Sequence, residues 1–147
     1  MYFAEHRGAD LLSEAIALRV IAESGIDAEH LQCLLEASRH RQVMIVKTEK
    51  NEPLASLTFA RISKFTLNLL AKNPKHKLCS YEYCEGTIIY VLDAFFRRHA
   101  FRQSLALLVP QLKRSRIIAY VRKGRLRVLY NNRGSFKLIK LSALNEK

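Results

Sequence analysis

The chain has 147 residues, 49% of them hydrophobic and 26% charged, with 5 Gly and 3 Pro. This is the size and composition of one ordinary folded domain and excludes a disordered or collagen-like polymer. Its charge is lopsided: residues 1–93 carry 11 basic and 12 acidic side chains, whereas residues 94–147 carry 14 and 1, and the whole chain stands at +12. The C-terminal third is therefore expected to present a cationic surface suited to phosphates, nucleic acid, an anionic membrane or an acidic protein.

No apolar run is long enough to cross a hydrocarbon layer of about 30 Å, so no membrane span is expected. The opening Met1-Tyr2-Phe3-Ala4-Glu5-His6-Arg7 lacks the basic start and apolar middle of a secretory signal. Three cysteines, Cys33, Cys79 and Cys84, do not make a disulfide framework and fit a reducing compartment. A cytoplasmic location is the expectation. His76 with Cys79 and Cys84 lacks the second Cys pair of a typical zinc site, so no metal is expected.

A short first strand is expected at Tyr2–Glu5. Leu11, Leu12, Ala15, Ile16, Leu18, Val20 and Ile21 then recur at helical spacing, with Gly25 as the stop. Asp27 is a fitting N-cap for a second helix that carries Leu31, Leu34, Leu35 and Ala37, which completes a helical hairpin. The period then changes. Val43–Val46, the polar turn Glu49–Glu52 and Leu54–Ile62 predict a β-hairpin.

Residues 63–86 form an insert with a short helix over Phe65–Ala71, broken at Asn73-Pro74. Thr87–Leu92 is the strongest strand signal, apolar enough to predict burial on both faces. A helix over Phe101–Lys113 follows, with Pro110 inside it as a kink or stop. After it come a strand at Ile117–Val121, an ambiguous segment at Arg125–Asn132 carried as a possible helix, a turn at Gly134 and a last strand at Phe136–Leu141. The order β-α-α-β-β-(insert)-β-α-β-(α)-β predicts a single α/β domain over 1–147, with 1–41 as strand and helical hairpin and 42–147 as sheet with a central helix.

Two local sequences in this order carry a resemblance. Ile89–Asp93 followed by Phe96–Leu108 resembles the central strand, phosphate-binding turn and helix of the GNAT acyltransferase superfamily. Arg125–Phe136 resembles that superfamily's later apolar-Tyr-x-x-x-Gly-Phe pattern, with Ser135 inserted. The resemblance covers roughly Val43–Leu141. It implies an α/β (α+β) fold: a mixed, mostly antiparallel curved sheet with helices on both faces, splayed where the strands ending near Asp93 and beginning near Ile117 part. It also implies N-acyl transfer from acyl-CoA or an acyl carrier protein to an amine on a small molecule or protein.

The donor would be held by the backbone at Leu92 and Ala94 and by Arg97, Arg98, Ala100, Arg102, Gln103 and Ser104. A helix start offers unpaired amides to an anion. Family members place glycines where this chain has Ala100 and Arg102, so guanidinium groups would take over part of the phosphate binding. Tyr130 matches a phenol that protonates the leaving thiolate, and Asp93 is the best-placed general base. The plainer alternatives are a half-buried tyrosine and a strand-end carboxylate paired with Arg97 or Arg98. Glu82 and Glu85 are second choices for the base.

A narrower resemblance, in Pro53–Ala60, the insert and Asp93, is to the RTX-toxin-activating lysine acyltransferases, which use an acidic carrier protein. Their histidine between the N-terminal helices has no counterpart in Ala22–Gly25, and His6 and His30 are out of register. Two further readings stay open. One is sequence-independent nucleic-acid binding through Arg114, Arg116, Arg122, Lys123, Arg125, Arg127 and Arg133, with Tyr120, Tyr130 and Phe136 interleaved. The other is a GNAT-shaped interaction or dimerisation module without catalysis.

Overall fold

The computed structural model describes residues 1–3 and 8–144. His6 and the expected run of the first strand through Glu5 lie outside the described residues. The elements are β1 (Tyr2–Phe3), α1 (Gly8–Ile21), α2 (Ala28–Arg39), β2 (Val43–Lys47), β3 (Pro53–Ile62), α3 (Lys64–Lys72), a 3-10 turn (Ser80–Tyr83), β4 (Ile88–Phe96), α4 (Phe101–Leu112), β5 (Ile117–Arg122), β6 (Arg125–Asn132), β7 (Ser135–Ile139) and a final 3-10 turn (Leu141–Leu144). The seven strands are hydrogen-bonded in chain order. Of the pairs with a described register, four are antiparallel and β4–β5 is parallel.

Two compact units divide the chain, residues 1–59 with 92–111, and residues 60–91 with 112–147. The division passes through β3 and β4.

In the first unit, α1 and α2 pack on each other and on β2. Leu11, Ala15 and Leu18 form the buried stripe of α1, while Leu34 and Ala37 do so for α2. Their spacing of three and four residues is what a helix needs to keep one face inward. Val20 and Ile21, expected on that face, are 69% and 47% exposed. Val20 lies about 200° around the helix from Leu18, on the far side of the stripe, and Ile21 is the last residue of the helix. The stop is Glu23 and not Gly25: Glu23 adopts φ +52, its N–H donates to Val20 O at 3.0 Å, and the Ser24 N–H donates to Arg19 O at 2.8 Å. This is a Schellman closure with a glutamate in the left-handed position. Gly25 takes no positive φ.

Asp27 caps α2 as expected, its carboxylate accepting from the His30 N–H at 2.7 Å, with the His30 ring nitrogen at 2.8 Å from the other oxygen. His30 is therefore a surface partner of its own cap. Buried Lys47, at the end of β2, donates to Glu14 of α1 and to Asn51 Oδ1 at 3.1 Å, and Asn51 also accepts from the Tyr2 hydroxyl at 2.6 Å. This network ties α1 to the hairpin turn.

In the second unit, Ser63 caps α3, and Asn73 ends it as the sequence predicts. The insert is closed by two carboxylates. Buried Glu82 accepts from the Cys79 N–H at 2.6 Å and lies 3.2 Å from the His76 ring, while Glu85 accepts from the Ser63 hydroxyl at 2.8 Å and from the Thr66 hydroxyl. Gly86 lies against β3: a Cβ there would sit 2.1 Å from Ile62 O, and its N–H donates to Arg61 O at 3.0 Å.

The ambiguous segment Arg125–Asn132 is a strand and not a helix. It is framed by the two-residue turns Lys123-Gly124 (φ +51, +70) and Arg133-Gly134 (φ +51, +90). Positive φ at both central positions is the type I′ geometry that joins twisted antiparallel strands. Asn131 fastens this ribbon, donating to Lys113 O at 2.7 Å and accepting from the Gly134 N–H at 2.8 Å.

Burial along the strands also differs from expectation. β3 is buried at eight of its ten residues, whereas β4 is buried only at Ile88, Ile89 and Tyr90. The strand covered on both faces is the one carrying Ser56 and Thr58, whose polarity hides it from a hydropathy reading.

Candidate active site

The β4–β5 ladder has three rungs, Ile89, Tyr90 and Val91 opposite Ile118, Ala119 and Tyr120. β4 then runs on through the first unit as Leu92–Phe96 and turns into α4. Side chains alternate along a strand, so Leu92 and Ala94 share one side and Asp93 and Phe95 the other.

On the Asp93 side the structure supplies a partner the sequence reading did not name. The Arg19 guanidinium of α1 donates to Asp93 Oδ2 and stacks 4.6 Å over the Phe95 ring. The expected pairing of Asp93 with Arg97 or Arg98 is absent among the described residues; Arg97 instead lies 3.7 Å from Glu52. Asp93 Oδ1 has no hydrogen-bond partner among the described residues. A signal for Arg19 existed: it is the only Lys or Arg between Arg7 and Arg39 and stands inside the apolar run Ala15–Ala22.

The turn from β4 to α4 is fixed by backbone bonds. The Arg97 N–H donates to Leu54 O at 2.8 Å, the Ala100 N–H to Arg97 O at 3.0 Å and the Ser104 N–H to Ala100 O at 2.9 Å. The Phe96 and Phe101 rings meet edge to face across it, 4.9 Å between centroids at 72°. Phe101, Arg102 and Gln103 thereby open the helix with amides that have no carbonyl one turn back, the condition for anion binding at a helix start.

Neither position where the family pattern has glycine requires glycine's backbone freedom, because the left-handed residue of the turn is His99, at φ +70. Glycine at those positions would supply only space. Ala100 is 6% exposed, with its methyl turned inward, and Arg102 is exposed, as are Arg98 and Gln103. Arg98 and Arg102 have no ion-pair partner among the described residues. Ser104 is fully buried, and its hydroxyl has no hydrogen-bond partner.

Tyr130 belongs to the second unit, in the middle of β6, opposite Ile117 of β5 and Lys137 of β7. It is half-buried on the face that also carries buried Val128. The Tyr-x-x-x-Gly pattern thus falls on a hairpin strand and its turn. Glu82 and Glu85, the second-choice bases, are engaged in closing the insert. Burial pushes the Glu85 carboxyl upward, but the hydrogen bonds from Thr66 and Ser63 outweigh it and hold the group below the usual range. At Asp27 the His30 N–H has the same lowering effect.

A folded-state value below the unfolded one stabilises fully above the unfolded pKa and is lost as pH falls through the folded value. Acid unfolding below about pH 4 is accordingly expected to become shallower in Asp27→Asn and Glu85→Gln. Urea midpoints measured from pH 7 to pH 3 check this, and an unchanged slope in both variants counts against it.

Cys79 and Cys84 are exposed and unbridged. Among the described residues no three His, Cys, Asp or Glu side chains are grouped as metal ligands, and no helix is long and apolar enough to cross a membrane.

The fold has solved counterparts. The chain is similar to the GphF GNAT-like decarboxylase in complex with isobutyryl-CoA, with a TM-score of 0.55 and 16% identity over 82% of this chain. It is also similar to the loading GNATL domain of CurA from Lyngbya majuscula, with a TM-score of 0.53 and 14% identity over 82% of this chain. It spans 65% and 63% of those two chains. No protein-family model matches the chain, and no curated protein matches it in sequence. The fold is GNAT-like, an α/β fold with a mostly antiparallel sheet.

Proposed function

We propose that the chain binds the phosphates of an acyl thioester carrier, coenzyme A or the phosphopantetheine of an acyl carrier protein, at the start of α4 and transfers the acyl group to an amine. The observation that carries this reading is the pair Arg98 and Arg102. Two exposed guanidinium groups without acidic partners flank three helix-start amides, in a fold of which one solved member holds isobutyryl-CoA. Arginine side chains offer an anion charge-assisted bonds in place of the close backbone approach that glycines give.

In the transfer, a neutral amine attacks the thioester carbonyl, forming the C–N bond. The nitrogen gives one proton to Asp93 Oδ1, the C–S bond breaks, and the departing thiolate takes one proton from water. Exchange with water then returns Asp93 to its starting form. Arg19 acts as a positioning residue, holding Oδ2 so that Oδ1 remains the acceptor.

Calorimetry with isobutyryl-CoA and with acylated carrier protein tests the reading. Arg98→Ala with Arg102→Ala is expected to weaken donor binding about a hundredfold, roughly tenfold for each charge-assisted contact. Equal donor affinity in the double variant and the parent removes the anion site, and absence of binding to either donor removes the transferase reading.

A further inference from the structure

The second unit carries a surface that acyl transfer does not use. Arg122, Lys123, Arg125 and Arg127 place four cations in six residues around the Lys123-Gly124 turn. The register sets Arg122 directly opposite Arg125 and Tyr120 directly opposite Arg127, so these four side chains share one face. Exposed Leu138 of β7 joins them in lining a groove of about 490 Å³. Like charges facing each other across a ladder destabilise it, and among the described residues no acidic side chain follows Asp93. None of the four cationic side chains has a hydrogen-bond or ion-pair partner among the described residues. The groove is thus a cationic rim around a half-buried ring and an apolar side chain, with nothing from its own unit neutralising it.

We infer that this face of the β5–β6 ribbon docks single-stranded nucleic acid, with phosphates on the arginines and a base stacked on Tyr120. Charge complementarity alone would admit any polyanion. The aromatic and apolar floor selects one that carries flat, unpaired bases, because base faces stack on such surfaces whatever their sequence. Tyr130, interleaved with the same cations in sequence, lies on the opposite face of the ribbon and takes no part.

The experiment is fluorescence anisotropy of a labelled twelve-nucleotide oligothymidylate with the full chain, alongside poly-glutamate and anionic phospholipid vesicles. Saturable binding to the oligonucleotide is expected, with affinity falling on a log–log salt plot at a slope of about −2 to −3 for three or four phosphate contacts. Tyr120→Leu is expected to weaken binding about tenfold without changing that slope. Arg125→Thr with Arg127→Thr is expected to weaken binding and reduce the slope by about 1 to 2. Arg125→Thr alone is also expected to raise Tm by about 2 °C at low salt, which shows that the variant is folded and relieves native repulsion.

Oligonucleotide binding that ignores Tyr120, or that matches poly-glutamate at equal charge, overturns the proposal in favour of an acidic protein. Vesicle binding without oligonucleotide binding overturns it in favour of a membrane surface, and no binding of any probe overturns it outright.

Discussion

Glu14→Ala is expected to destabilise the protein by about 3 kcal/mol, seen as a fall of about 10 °C in Tm. Lys47 is 0% exposed, the largest fully buried side chain, and its ammonium donates to Glu14 and Asn51. Taking a charge out of water costs several kcal/mol, and a carboxylate at contact distance offsets most of that cost. Removing the carboxylate keeps the cost and loses the offset. The informative comparison is the double change Glu14→Gln with Lys47→Met, which removes both charges and keeps the volume. It is expected to recover most of the loss, since apolar replacement of a buried pair is often neutral or better. A double variant no more stable than Glu14→Ala alone contradicts this account of α1 docking.

Gly86→Ala is expected to cost about 3 kcal/mol in urea unfolding, by overpacking and by weakening one backbone hydrogen bond. The new methyl would stand 2.1 Å from Ile62 O, 2.4 Å from the Ile62 carbonyl carbon and 2.6 Å from Ser63 N. All three are backbone atoms, so no side chain can swing aside and β3 itself has to move. Its displacement would strain the bond from the Gly86 N–H to Arg61 O and the nearby cap of α3 by Ser63. Gly25→Ala is the matching control, because nothing lies within 4 Å of a Cβ there. Similar unfolding midpoints for the two variants would contradict the packing argument.

The elements whose signals are local were legible from the sequence. Asp27 caps a helix because its side chain reaches an amide three residues on, and Asn73-Pro74 ends α3 by backbone chemistry alone. The β2–β3 hairpin and the span of α4 follow from period and turn residues. What escaped was decided elsewhere in the fold. The closure of α1 at Glu23 tolerates a left-handed glutamate that propensity would assign to Gly25. β6 mixes arginine with leucine and reads poorly as helix or strand, although the Lys-Gly and Arg-Gly dipeptides ten residues apart were a usable hairpin signal.

At the candidate site, the turn and the opening of α4 at Phe101 were legible. The partner of Asp93 was not, because Arg19 lies 74 residues away in sequence and only the packing of α1 brings it there.

The strands follow one another across the sheet in the order of synthesis. The hairpins β2–β3, β5–β6 and β6–β7 each close over a short stretch of chain and can assemble soon after emerging from the ribosome. The β4–β5 joint is different: its three rungs can be made only once α4 and its flanking loops have emerged. A nascent chain halted before Ile117 would therefore hold the turn and α4 while lacking the strand that completes the β4 edge.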